Sequence, residues 1–115
     1  MRDDCIFCRI VRQEAHGDIV YQDEEITAFR DINPKAPVHI LIVPNRHIPG
    51  VFALQPGDES VVGRLFLVAR QLAEQEGIAQ SGYRLVLNSG PQGGQSVYHL
   101  HLHLLGGRPM RWPPG

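Results

Sequence analysis

Cysteine is scarce in this 115-residue chain, with Cys5 and Cys8 the whole complement. Two thiols cannot build the disulfide framework that holds small secreted domains, and the start Met1-Arg2-Asp3-Asp4 leads into no signal-type apolar stretch. A cytoplasmic protein is expected, whose thiols serve metal, redox chemistry or burial. Charge of one sign is also lacking: 11 Lys and Arg stand against 12 Asp and Glu, a formal net charge of −1. That excludes the basic footprint of a protein that wraps nucleic acid and leaves room for a nucleotide-sized anion. Long hydrophobic runs are missing too. The longest, Leu65 to Ala69, has five residues, against about 20 for a membrane span. No linker, repeat or low-complexity tract interrupts the chain, so one domain over residues 1–115 is expected, with 111–115 as a tail.

What is plentiful is turn chemistry and histidine. Twelve Gly and nine Pro exceed the average usage of about 7% and 5% and imply many turns. Cys5 to Gln13 reads as a short helix, and Ile19 to Gln22 with Ile26 to Asp31 as a hairpin across Asp23-Glu24-Glu25. A third strand, Val38 to Pro44, follows the breaker Asn33-Pro34-Lys35-Ala36-Pro37. Apolar residues at Val61, Val62, Leu65, Val68, Ala69 and Leu72 predict a long helix from Asp58 to Glu76, ended by Gly77. Tyr83 to Asn88 and Val97 to Leu105 read as strands around a polar loop. The sum is an α+β architecture, an antiparallel meander sheet with a long helix on one face, a short N-terminal helix, and a face left over for a ligand.

Six histidines are present: His16, His39, His47, His99, His101 and His103. In Tyr98-His99-Leu100-His101-Leu102-His103-Leu104 they alternate with leucine, so an extended strand would project three imidazoles from one face and pack the leucines on the other. A plain polar face would be served by Ser, Thr or Lys without clustering groups that titrate near neutrality. Three such rings could hold a metal, or could do nucleophilic and acid–base work on a phosphate ester or amide. Gly93-Gly94-Gln95-Ser96, with flexible backbone donors and a hydroxyl, favours the second by offering a phosphate cradle. Cys5-x-x-Cys8 has three readings: half a zinc site, a redox pair, or two small buried residues. The redox reading is the poorest, because no strand precedes the pair.

His99-Leu100-His101-Leu102-His103-Leu104-Leu105 matches the signature of the histidine triad (HIT) superfamily, and the resemblance runs over nearly the whole chain. Asp31-Ile32-Asn33-Pro34-Lys35-Ala36-Pro37-Val38-His39, Gly93 to Tyr98, Gly106-Gly107-Arg108 and Trp112-Pro113-Pro114-Gly115 make it similar to the Hint branch, nucleotide-binding hydrolases of purine nucleoside phosphoramidates. The resemblance implies that His101 is the nucleophile of a nucleotidyl-histidine intermediate, that His103 contacts phosphate, that His39 steadies the network, and that Ser96 sits beside the leaving group. It assigns the ribose to Asp31, the base pocket to Ile32 with Phe7, Ile10, Phe29 and Leu41, and phosphate contacts to Asn88 and the backbone of Gly94, Gln95 and Ser96. It gives His16 no role, which leaves that residue as a solvated turn.

The resemblance further implies a structural zinc held by Cys5, Cys8, His47 and His99, with no catalytic metal. It implies a homodimer with the sheet continued across the two-fold axis, Tyr83 to Asn88 and the long helix at the interface, and Trp112 shaping the partner's leaving-group pocket. Another branch of the superfamily, dinucleoside polyphosphate hydrolysis, would use the same His101 chemistry on a P–O bond. Gly106-Gly107 and the Trp-Pro-Pro-Gly end argue against it. A scaffold with vestigial catalysis is opposed by the complete set His39, Ser96, His101 and His103.

Overall fold

The computed structural model describes residues 4–115, so Met1 to Asp3 of the N-terminal reading lie outside the described residues. Helix α1 spans Ile6–Val11 and helix α2 Glu59–Gln75; the strands are β1 Ile19–Gln22, β2 Ile26–Arg30, β3 Val38–Pro44, β4 Tyr83–Val86 and β5 Leu102–Gly106. They form one five-stranded sheet in the order β1-β2-β3-β5-β4, every neighbouring pair antiparallel. The meander thus covers the first three strands, and β5 inserts between β3 and β4. Among the described residues no helix is long and apolar enough to cross a membrane.

Strand alternation gives the sheet two different faces. Ile26 and Ala28 of β2, Ile40 and Ile42 of β3, and Leu102 and Leu104 of β5 lie on one face and pack with Leu65, Val68, Ala69 and Leu72 of α2 in a single buried cluster. The opposite face carries Phe29, Leu41 and Val43, packed with Phe7, Ile10 and Val11 of α1. Six residues are too few for a helix to persist alone. α1 is held by this packing and by Cys5, whose sulfur caps the helix by accepting the Cys8 amide at 3.4 Å. The long helix matches its expected span, with Asp58 and Glu76 as its two caps. Gly77, at φ 74°, supplies the left-handed turn that ends it.

The last strand is shorter at its start than the expected Val97 to Leu105. Its ladder with β3 begins at Leu102, opposite Ile42, and two residues further back Leu100 would face Pro44, which has no amide hydrogen to give. Leu100 instead donates its amide to the Ile48 carbonyl at 2.7 Å. The segment 97–101 therefore stands outside the sheet, and His99 and His101 sit in a stretch fixed by this one backbone bond together with side-chain contacts such as Gln95 to the Val97 carbonyl.

Candidate active site

The α1-covered face opens into a cavity of about 700 Å³, within the size range of small-ligand clefts. Ile6, Phe7, Ile10, Phe29, Leu41 and Val97 form its apolar wall, while Asp31, Ser96, His101 and His103 give it polar groups. Ile32 is 89% exposed, and its place on the cavity rim accounts for so large an aliphatic group in solvent.

Hydrogen bonds assign the proton on each imidazole of this face. The Lys35 amide can only donate, and it donates to His39 Nδ1 at 3.0 Å; His39 therefore carries its hydrogen on Nε2. That Nε2–H is 2.9 Å from His103 Nδ1, with an Asp31 carboxylate oxygen at 3.4 Å. His103 Nδ1 accepts, so the remaining hydrogen of His103 is on Nε2. Among the described residues this Nε2 is the buried side-chain nitrogen or oxygen without a hydrogen-bond partner, a donor aimed at nothing in the protein. In His101 the arrangement is reversed. Its Nδ1–H donates to the His99 carbonyl at 2.7 Å, which leaves Nε2 as a lone-pair nitrogen in the cavity wall. The rings of His101 and His103 lie with centroids 4.9 Å apart, and Phe7 stands edge-on to His101 at 5.2 Å.

Burial keeps these rings neutral. It lowers the pKa of His39 and of His101, and it holds His103 at about 4, helped by the neighbouring His101 and His39. Neutral, differently protonated imidazoles side by side offer one lone pair and one N–H donor to the same bound group.

Not every expected contact reaches the cavity. Ser96 lines it, but the amides of Gly94 and Gln95 are committed within their own loop, to the Pro91 and Gly90 carbonyls at 3.1 and 3.0 Å. The Gln95 side chain is a buried strut, donating to the Pro49 and Val97 carbonyls and accepting from the Gly90 amide. In this structure those two amides shape the loop that presents Ser96 to the cavity. Asn88, just past β4, is half-buried and not part of the cavity lining. His16 is exposed as expected of a turn residue, yet it lines the cavity. Its only sequence signal was an imidazole beside Gly17.

Behind the cavity, Cys5, Cys8, His47 and His99 bring their ligand atoms within 4.8 Å of one another. Cys5 Sγ is 3.3 Å from His99 Nδ1, and Cys8 Sγ is 3.3 Å from His47 Nδ1 and 3.5 Å from His99 Nδ1. A tetrahedral zinc with its usual bond lengths separates sulfur from nitrogen by about 3.6 Å, so the four groups fit. His99 Nε2 donates to the Pro44 carbonyl at 2.8 Å, which turns the lone pair of Nδ1 toward the thiols.

The HIT domain family model matches residues 12–110. The chain belongs to the HIT family. Its HIT fold is shared with a HIT family hydrolase from Legionella pneumophila at a TM-score of 0.96 and 47% identity, covering 97% of this chain and 100% of that one. A HIT family hydrolase from Clostridium thermocellum gives a TM-score of 0.94 at 43% identity, covering 96% of each chain. In sequence the HIT domain is similar to a purine nucleoside phosphoramidase of Escherichia coli K12, 56% identical over 110 residues, 96% of this chain and 92% of that protein. It is 50% identical over 115 residues to an uncharacterised HIT-like protein of Synechococcus elongatus, covering all of both.

Proposed function

We propose that this HIT-family chain hydrolyses the P–N bond of purine nucleoside 5′-phosphoramidates through a histidine-bound nucleotide. The observation that carries the reading is the pair of adjacent imidazoles whose Nε2 atoms have opposite character, a lone pair on His101 and an unmet N–H on His103. His101 Nε2 attacks the α-phosphorus as the P–N bond breaks, and His103 Nε2–H meets the non-bridging oxygen on which charge grows. The departing amine takes a proton from water in the cavity, for which the Ser96 hydroxyl on the cavity wall serves as conduit. Water then attacks the phosphorus, the P–Nε2 bond breaks, and nucleoside monophosphate leaves. The Asp31 carboxylate suits the ribose diol, and Phe7, Ile10, Phe29, Leu41 and Ile32 suit a flat base. The 56% identity to a phosphoramidase supports this substrate class.

Steady-state kinetics on adenosine and guanosine 5′-phosphoramidates beside diadenosine polyphosphates test it. The phosphoramidates are expected to show much the higher kcat/KM, and His101→Gly to lose more than about a hundredfold in kcat, about 2.7 kcal/mol of transition-state stabilisation, while still binding AMP in calorimetry. Equal or greater activity on the polyphosphates would give the site to P–O cleavage. A His101→Gly enzyme retaining more than a hundredth of the rate would remove the nucleophile assignment.

Cys5, Cys8, His47 and His99 are proposed to hold a zinc that ties α1 to the segment 97–101 and supplies cross-linking, not chemistry. A homodimer is proposed as well. The exposed Phe66 and Leu67 of α2 and the position of β4 at the sheet edge support an interface there. A cytoplasmic setting agrees with two cysteines that form no disulfide.

A further inference from the structure

The hydrogen on His103 Nε2 is determined by a chain of contacts that does not end at His39. His39 takes its tautomer from the Lys35 amide, and Lys35 lies in the exposed breaker segment between β2 and β3, where nothing in a ladder holds it. Its own Nζ reaches back to the Asn33 carbonyl at 2.7 Å within the loop, and the hold from outside the loop comes from the other end of the chain. Arg108, just past β5, donates from Nε and Nη2 to the Lys35 carbonyl at 3.1 and 2.9 Å, and its Nη1 donates to the Pro109 carbonyl. The approach depends on Gly107. At φ +90° it turns the chain toward the loop, and a Cβ there would stand 2.9 Å from Pro37 Cβ.

We propose that Arg108 is a positioning residue for the phosphate-contacting imidazole, clamping Lys35 so that its amide holds His39, and through it His103, in the tautomer that presents Nε2–H to substrate. A charge-assisted donor pair on one carbonyl fixes residue 35 from its C-terminal side while its amide serves His39 from the other. The effect is geometric, since the carbonyl that Arg108 grips belongs to a different peptide unit from the amide that His39 uses. Loss of the clamp lets the loop swing, Lys35 N–H leaves His39, and the hydrogen is then shared between the two nitrogens of each ring. The kinetic consequence of the clamp rests on the phosphoramidase reading, and its structural consequence does not.

The test compares wild type with Arg108→Ala and Arg108→Lys. Long-range 1H–15N spectra of the free protein report the tautomers of His39 and His103 directly. Arg108→Ala is expected to turn the single Nε2–H tautomer of both rings into a mixture. It should also lower kcat on adenosine phosphoramidate by about tenfold, a fraction of the 10²- to 10³-fold cost of losing a whole oxyanion donor, with KM changed less than twofold. Arg108→Lys keeps one donor within reach and should recover part of both losses. Unchanged tautomers with kcat within twofold of wild type would overturn the clamp. So would a loss equal in both variants and tracking a fall in melting temperature, which would make Arg108 a structural residue only. If the wild type cleaves no phosphoramidate while the tautomers still shift, the clamp stands and the substrate assignment falls.

Discussion

Each imidazole in the site is told apart from its neighbours by what its other nitrogen touches. The Lys35 amide, the His39 ring and the His99 carbonyl set the protons of His39, His103 and His101 in turn. Because burial pushes His101 below the usual 6.5 and His103 to about 4, both are neutral at physiological pH. The acid limb of kcat/KM should therefore have its midpoint below 6.5, with a flat profile above it. Stability follows the same sign: the unfolded chain binds a proton at His103 near 6.5 and the folded chain only near 4, so stability is full above that window and falls as pH drops through it. A pH–rate profile and melting curves over pH 4 to 8 check both, and an acid midpoint above 6.5 would contradict the buried neutral pair. The alternation of His with Leu made the facing rings legible in the sequence, because period two dictates it. The partners that choose the tautomers were not legible. Lys35 and Arg108 are 73 residues apart, and their contact depends on where two loops close.

Among the elements, the long helix and the first three strands were readable because each declares itself over its own length: α2 by its 3.6-residue apolar period, β3 by its unbroken Ile40-Leu41-Ile42-Val43 run. The start of β5 was not, since the ladder stops where Pro44 on a distant strand has no donor to offer. The internal bonds of the loop 89–96 were not legible for a related cause, since the Gly94 and Gln95 amides meet carbonyls that only the folded turn brings near. α1 is the element most dependent on others. In protein purified without chelators, about one zinc per chain is expected, and Cys5→Ser or Cys8→Ser should lower the melting temperature, because a structural zinc adds its binding energy to folding. Activity measured well below the melting point should fall less than stability does. Metal analysis and calorimetry decide it: metal-free protein with unchanged melting in both variants would mean that the thiols are only buried.

For the whole molecule the question is what covers the tail. Trp112 is 82% exposed, and the two prolines that follow it keep Arg111 to Gly115 out of a helix or the middle of a sheet. In an isologous dimer each tail could lie beside the other subunit's cavity, where the amine departs. A dimer by light scattering at micromolar concentration is expected. Deleting Trp112 to Gly115 should change the ratio of rates among amine leaving groups far more than the rate on the unsubstituted phosphoramidate. A monomer, or unchanged ratios, would refute this. The sheet's two unlike faces also bear on how such a chain can change over generations. One face is sealed under seventeen residues of α2, the other is roofed by six residues of α1 and a loop. Drift on the α2 side is constrained by close packing alone and is blind to substrate, whereas the thin roof can be rebuilt, residue by residue, without disturbing the scaffold beneath it. New specificities in descendants of this molecule would therefore arise in its first thirty-odd residues and its last few, around an interior that stays the same.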